Sequence, residues 1–230
     1  MIPNVLGEHA VELAFPAHNR QVICEIRHFA VEKIKPARRL IRLLDKEKGI
    51  DDCMFYEMES VDTSKINTQI VKIIKNGESV GVISDAGCPG IADPGATLVR
   101  HCQDEGIEVV PLVGPSSILL ALMASGLNGQ HFCFHGYLPK EEAARKQHLE
   151  KLIRDELKSG SAHIFIETPY RNDHVLQSML QVMPDSLRIC IAADILTSQQ
   201  NIRTKTIKAW KKDLPVLKGR QVIFILGAPA

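Results

Sequence analysis

Residues 84–95 read Ser-Asp-Ala-Gly-Cys-Pro-Gly-Ile-Ala-Asp-Pro-Gly. They follow Ser79-Val-Gly-Val-Ile83, a short apolar run of the kind that fills a buried parallel strand. At the far end of the stretch, Asp93 suits a helix N-cap and Pro94 the first helical position, where a missing N–H is tolerated. Between strand and helix lies a loop with Gly87, Gly90 and two prolines. Such a loop lets backbone approach a ligand closely at the carboxyl edge of a sheet, where open α/β folds bind their ligands. A plain structural turn has a similar composition. Two features favour the ligand loop: Asp85 directly follows the strand, and the glycines are denser than a turn requires.

Working outward, the first half alternates strand and helix. Ile2–Leu6 reads as a short strand, residues 18–26 as helix, His28–Glu32 as strand and Pro36–Lys48 as helix. Met54–Met58 reads as strand and Thr63–Asn76 as helix closed by Gly77; strand 80–84, helix 94–105 stopped by Gly106, and strand 107–112 follow. This rhythm predicts an α/β fold with a mostly parallel sheet and helices on both faces. Gly114-Pro115 is the best boundary, dividing the chain into domains 1–113 and 114–230. Beyond it the spacing predicts a helix over Ser117–Ser125 and an alternating strand over Phe132–Tyr137. Residues 140–158 read as a charged helix, and Ala162–Glu167, Leu187–Ala193 and Gln221–Leu226 as strands. Helical stretches near 171–182 and 205–212 complete an expected mixed sheet.

Composition excludes several classes. The chain has 230 residues, 45% hydrophobic and 24% charged, with a net charge of +1, ordinary for a globular protein of one large or two small domains. No apolar run approaches the roughly 20 residues of a membrane span, and the N-terminus lacks the pattern of a signal peptide. The cysteines at 24, 53, 88, 102, 133 and 190 are scattered without a CxxC pair. That argues against a zinc site or a disulfide framework and for a reducing cytoplasm. The histidines show no metal-ligand spacing, so no metal is expected. Trp210 reads as a packing anchor, and three tyrosines give no stacking platform for single-stranded nucleic acid.

Three motifs together carry a family resemblance: the 84–95 loop, Val109-Val-Pro-Leu-Val-Gly-Pro-Ser-Ser117, and Phe134-His-Gly-Tyr-Leu-Pro-Lys140. The chain resembles the tetrapyrrole (corrin/porphyrin) methylase superfamily, and within it the branch of small-subunit ribosomal RNA 2′-O-methyltransferases. The resemblance spans nearly the whole chain. It implies S-adenosylmethionine held in a cleft between two α/β domains, a homodimer, and a methyltransferase acting on RNA of the small ribosomal subunit.

By the same resemblance the cofactor residues are Pro3, Ser84, Asp85, Gly87, Cys88, Ser116, Ser117, Ile118, Glu167, Thr168, Ala193 and Ala228. Glu167-Thr-Pro-Tyr-Arg171 matches a family segment placed near the adenosine. Read without a ligand, Ser116 and Ser117 also suit an ordinary helix N-cap. Three departures fall largely on the acceptor side: an abrupt Met1-Ile-Pro-Asn start, Lys33-Ile-Lys35 after a retained Glu32, and Ala193-Asp-Ile-Leu-Thr-Ser-Gln199. Methyl transfer from a sulfonium needs mainly alignment, and a hydroxyl nucleophile also gains from a base. Glu32 is the candidate base, with an ion pair to Arg38 or Arg39 as the alternative role.

Basic residues cluster in two stretches. Residues 27–48 hold eight Lys/Arg against three acids, and residues 200–220 hold seven against one. Lys205, Lys208, Lys211 and Lys212 recur at helical spacing. Such runs are commonly solvated faces, and they also fit a phosphate-binding surface, with Arg38 and Arg39 as substrate-binding candidates. A carboxylate-bearing tetrapyrrole or another small acceptor would suit the same charges, and a cofactor- or RNA-binding homologue without catalysis is the third reading.

Overall fold

The computed structural model describes residues 1–7, 11–59, 62–155 and 160–228. The chain divides into two compact units, Met1–Ser116 and Ser117–Ala230. In the first unit the elements are α1 (Val11–Ala14), α2 (Ala17–Glu25), β1 (His28–Val31), α3 (Ile34–Leu44), β2 (Met54–Glu57), α4 (Thr63–Lys75), β3 (Val80–Ile83) and α5 (Ala96–Asp104). The strands form an all-parallel sheet in the order β2-β1-β3.

Both faces of this sheet are covered. Phe29, Val31 and Ile83 pack with Ile23 of α2 and with Ala37, Leu40, Ile41 and Leu44 of α3. Those four α3 positions recur at one helical face, which is why the segment is a helix with a single buried stripe. The alternate residues Ala30 and Val82 point the other way, onto Ile70 and Val71 of α4 and Leu98 and Cys102 of α5. The Asp62 side chain caps α4 by accepting from Lys65 N, 3.3 Å away, and Gly77 closes it at φ +94°.

Four local expectations in this half are corrected. Ile2–Leu6 is not a strand but two isolated bridges, Ile2 to Ile83 and Asn4 to Gly87. Pro3 has no N–H for a ladder, and the chain crosses there from β3 to the loop. Residues 107–112 form no strand either. Their nearest extended neighbour supplies only the Met1 links, Leu112 N to Met1 O at 2.9 Å and the Met1 ammonium to Val110 O at 2.8 Å. The third helix ends at Leu44, because the Asp45 side chain accepts from the N–H groups of Glu47 and Lys48 and turns the chain out. Finally, α5 begins at Ala96 with Gly95 as its cap at φ +129°. Asp93 is therefore not the cap: Gly90 N donates to Pro94 O at 3.1 Å and folds the segment back.

The second unit comprises α6 (Ser117–Ser125), β4 (Phe132–Tyr137), α7 (Glu142–Asp155), β5 (Ala162–Glu167), α8 (Asn172–Val182), β6 (Arg188–Ala193), β7 (Asn201–Thr206), α9 (Ile207–Trp210) and β8 (Val222–Gly227). Residues 156–158, expected to end α7, lie outside the described residues. The sheet order is β4-β5-β8-β6-β7. Only β4 and β5 are parallel, and the other pairs are antiparallel, so the sheet is mixed as the sequence implied.

The expected helix over 205–212 is corrected. Residues 201–206 pair with β6, and only one helical turn follows, capped by the Thr206 hydroxyl. Trp210 is an anchor in the core, with Nε1 donating to Ile189 O at 2.9 Å. Buried Arg145 donates from Nε to the Ser178 hydroxyl and from Nη1 to the carbonyls of Pro139 and Lys140.

Gly81 stands in β3 where a Cβ would lie 2.6 Å from Ile2 Cδ1 and 2.9 Å from Phe29 Cδ1. Gly81→Val should therefore destabilise the protein by about 1–3 kcal/mol, the usual range for overpacking. Urea titration showing an unchanged midpoint would contradict this packing.

Candidate functional site

The carboxyl ends of β1 and β3 lie side by side, joined by Glu32 N donating to Ile83 O at 3.1 Å. From here the chain runs into Glu32 and Lys33 on one side and Ser84 to Cys88 on the other. The Glu32 carboxylate accepts from Asp85 N at 2.9 Å. The Asp85 carboxylate in turn meets the Lys33 ammonium at 2.6 Å, and Lys33 lies 3.8 Å from Glu32.

The loop is clamped from the N-terminal segment. Buried Asn4 donates through Nδ2 to Ser84 O at 2.9 Å and Asp85 O at 3.0 Å. Its backbone exchanges two hydrogen bonds with Gly87, at 2.7 and 3.1 Å. Gly87 sits at φ +67°, a left-handed conformation that residues with a Cβ rarely adopt. Pro3 packs against Gly114, where a Cβ would collide with the proline ring. The Cys88 thiol donates to Pro115 O at 3.4 Å. Burial, and then the charge of Asp93, push this thiol up from its ordinary value, which suits a packed side chain rather than a nucleophile.

Asp93 belongs to this edge as well. Burial first, then the negative charge of Glu32 and further that of Asp85 and Glu59, raise its carboxyl to about 6, against the opposing hydrogen bond from Ser84. Glu32, Asp85 and Asp93 thus form an acid-rich patch with Lys33 as a cation held against it.

Thus Glu32, Ser84, Asp85, Gly87 and Cys88 come together around the loop, and Pro3 joins it through its neighbour Asn4. The cation beside Glu32 is Lys33, at 3.8 Å. Arg38 Nη2 binds Asp51 at 3.0 Å and lies over the Phe55 ring, and Arg39 follows it on α3. Ser116 ends the first unit, and Ser117 and Ile118 open α6.

In the second unit Glu167 and Ala193 end β5 and β6, and Val222 of β8 pairs with both. Buried Glu167 accepts from Thr168 N at 2.7 Å and lies 3.2 Å from Arg171. Ala228 follows the opposite end of β8, where Gly227 pairs with Arg188, so the sheet does not bring it to the edge of Glu167 and Ala193. Among the described residues, no group of three or more His, Cys, Asp or Glu is placed to hold a metal ion.

Sequence reasoning missed Asn4 and Lys33, and assigned Asp93 to a cap. The Asn4 and Lys33 contacts span 80 and 52 residues, so no local pattern signals them. Asp93 was hidden by a good local reading, since Asp-Pro-Gly fits a helix start.

The Asp93 shift makes a stability prediction. Its folded value of about 6 exceeds the ordinary 3.8, so between these values the folded state binds more protons. The contribution of Asp93 to stability falls as pH rises through that window. Asp93→Asn should match the wild type near pH 4 and melt at a higher temperature than it near pH 7.5. Lower melting at both pH values would refute the shift.

The chain was also compared with known families, curated proteins and solved structures. The model of the family described as Tetrapyrrole (Corrin/Porphyrin) Methylases matches residues 21–210. The chain is 37% identical over 164 residues to ribosomal RNA small subunit methyltransferase I of Haemophilus influenzae, covering 70% of this chain and 56% of that protein. It is 33% identical over 196 residues to the protein of the same name from Escherichia coli O157:H7, covering 82% and 65%. The chain thus spans between about half and two thirds of these relatives. Among solved structures, that of the methyltransferase CobJ superposes with a TM-score of 0.63 at 16% identity, over 98% of this chain and 91% of the other, and shares its fold. With most of its length matched by the family model, the chain belongs to the tetrapyrrole (corrin/porphyrin) methylase family.

Proposed function

We propose that the protein is an S-adenosylmethionine-dependent methyltransferase acting on small-subunit ribosomal RNA, at a ribose 2′-oxygen. The observation that carries this reading is the clamped, acid-rich loop at the carboxyl edge of the parallel sheet. The cofactor supplies a methyl group already activated on a sulfonium. Its sulfonium and α-ammonium are cations, and Glu32, Asp85 and Asp93 form a patch suited to positive charge. The residues present therefore fit the group.

The chain's own residues have a small task. Asn4 and Glu32 hold Ser84 and Asp85 in place, and Gly87 lets the backbone turn. Glu32 is a positioning residue in this reading, because its carboxylate already receives the Asp85 N–H. The relatives' name supports RNA of the small subunit as acceptor.

The protein is further proposed to be a homodimer of the cytoplasm. On α6, Leu119 is 51% exposed and Met123 80%, an apolar surface suited to a second copy. The six cysteines form no disulfide, which suits a reducing compartment.

The central test offers labelled S-adenosylmethionine with purified small ribosomal subunits, naked ribosomal RNA, or uroporphyrinogen. Label is expected in RNA at a ribose. Label in the tetrapyrrole alone would overturn the RNA reading, and cofactor binding without transfer to any acceptor would favour a non-catalytic homologue. Asp85→Ala should weaken cofactor binding about tenfold, the scale of one charge-assisted contact, measured by calorimetry. Sedimentation should give twice the 25.5 kDa chain mass, and a single-chain mass at micromolar concentration would count against the dimer.

A further inference from the structure

Three non-glycine residues among those described have a positive φ: Ala92 at 62°, Asp194 at 50° and Leu196 at 61°. Each lies in a loop that leaves the carboxyl end of a strand, Ala92 in the loop after β3 and the other two directly after β6. Aspartate visits the left-handed region readily, because its short polar side chain bonds locally, whereas a leucine there is a true outlier. Strain of this kind persists only where its surroundings over-determine it, and it clusters at functional sites.

The surroundings of Asp194 and Leu196 do over-determine them. The Arg220 guanidinium spans the turn: Nε donates to Asp194 Oδ2 at 2.6 Å and Nη2 to Gln199 O at 2.5 Å. Gln221 N donates to Asp194 Oδ1 at 2.9 Å, and Asp194 N to Gln221 O at 2.8 Å. Inside the turn, Thr197 donates from N and from Oγ1 to Asp194 O, and Leu196 N donates to Gln200 Oε1. Buried Ile195 roots the turn in the protein. Leu196 gives the fold little in return. Its side chain is half-buried and stands outside the hydrophobic core of the second unit. A plain connection would use glycine or asparagine at 196 and avoid the strain.

The position of the turn supplies a reason for its shape. β5 and β6 flank β8 and run the same way, so the turn leaves the sheet edge at which Glu167 and Thr168 also stand. Carboxyl ends of strands are where α/β sheets hold their ligands. We infer that Arg220 is a positioning residue for cofactor binding: it locks the 194–200 turn in its left-handed shape, and the locked turn is a preformed contact surface for S-adenosylmethionine on the second unit. The inference rests on the methyltransferase reading above. A turn ordered beforehand spares the ligand the ordering of it on binding, so strain accepted in folding is recovered as affinity.

The experiment compares wild type with Leu196→Gly, Arg220→Ala, Arg220→Lys and the double variant Leu196→Gly/Arg220→Ala. Melting temperature, affinity for S-adenosylhomocysteine by calorimetry, and the KM and kcat of methyl transfer to small ribosomal subunits are measured for each. Leu196→Gly relieves the strain and frees the turn, so it should melt at or above the wild-type temperature yet bind about fivefold more weakly. Its KM for S-adenosylmethionine should rise by a similar factor with kcat little changed. Arg220→Ala should weaken binding to the same degree, and Arg220→Lys should recover part of the loss by keeping a cation beside Asp194. Because both residues act through one turn, the double variant should bind no more weakly than the weaker single variant. Additive losses in the double variant would place Arg220 outside the turn's action and overturn the assignment. So would wild-type affinity in Leu196→Gly, or a Leu196→Gly protein that melts well below wild type, which would give the leucine to the fold. In each of those cases wild type still binds and transfers methyl, and the methyltransferase reading stands. If wild type binds no cofactor and methylates nothing, both fall.

Discussion

The carboxamide of Asn4 is the contact on which the candidate site depends. A parallel strand that ends at β3 leaves the carbonyls of Ser84 and Asp85 without ladder partners. Buried carbonyls need donors, and the two N–H groups of one amide reach both, at 2.9 and 3.0 Å. The backbone of the same residue closes a two-bond ring with Gly87. Each buried acceptor left unmet would cost about 1–3 kcal/mol, against a total stability on the order of 5–15 kcal/mol. One side chain, three residues from the chain's first, therefore fixes the path of a loop 80 residues away.

That clamp also sets the electrostatics. Holding Asp85 N toward Glu32 brings two carboxylates close, and the folded-back 90–94 segment adds Asp93. Lys33 pairs with Asp85, whereas burial first and then the charge of Glu32 raise the proton affinity of Asp93. The sheet edge thus concentrates negative charge near a nearly neutral chain's loop, while the cations of α3 stand one helix face away.

Much of this was legible in the sequence. The stripe Ala37, Leu40, Ile41, Leu44 marks a helix by period alone, and the runs ending at Val31 and Ile83 mark strands buried on both faces. The 84–88 loop was readable because glycine and proline density is a local property. What was not readable is non-local or coincidental. The lysines at 205, 208, 211 and 212 happen to fall at helical spacing, yet Lys205 lies in a strand paired with β6 and only the single turn Ile207–Trp210 is helical. Gly95 at φ +129° displaces the helix start by two residues from the Asp-Pro signal. Asn4 and Lys33 act across the fold, so their roles exist only once β1 and β3 lie together.

The order of strands in the second sheet has a consequence for biosynthesis. β8 lies last of the strands in sequence, yet it sits between β5 and β6 and pairs with both. Until it arrives, the sheet is two separate ribbons, β4-β5 and β6-β7, with apolar edges facing an empty lane. All three strands of the first sheet and the helices that cover it are complete by Ser116, before the second unit begins, and domains commonly fold in the order of synthesis. The second must wait for Val222–Gly227 to emerge, and its half-built ribbons are the stage most in need of a chaperone.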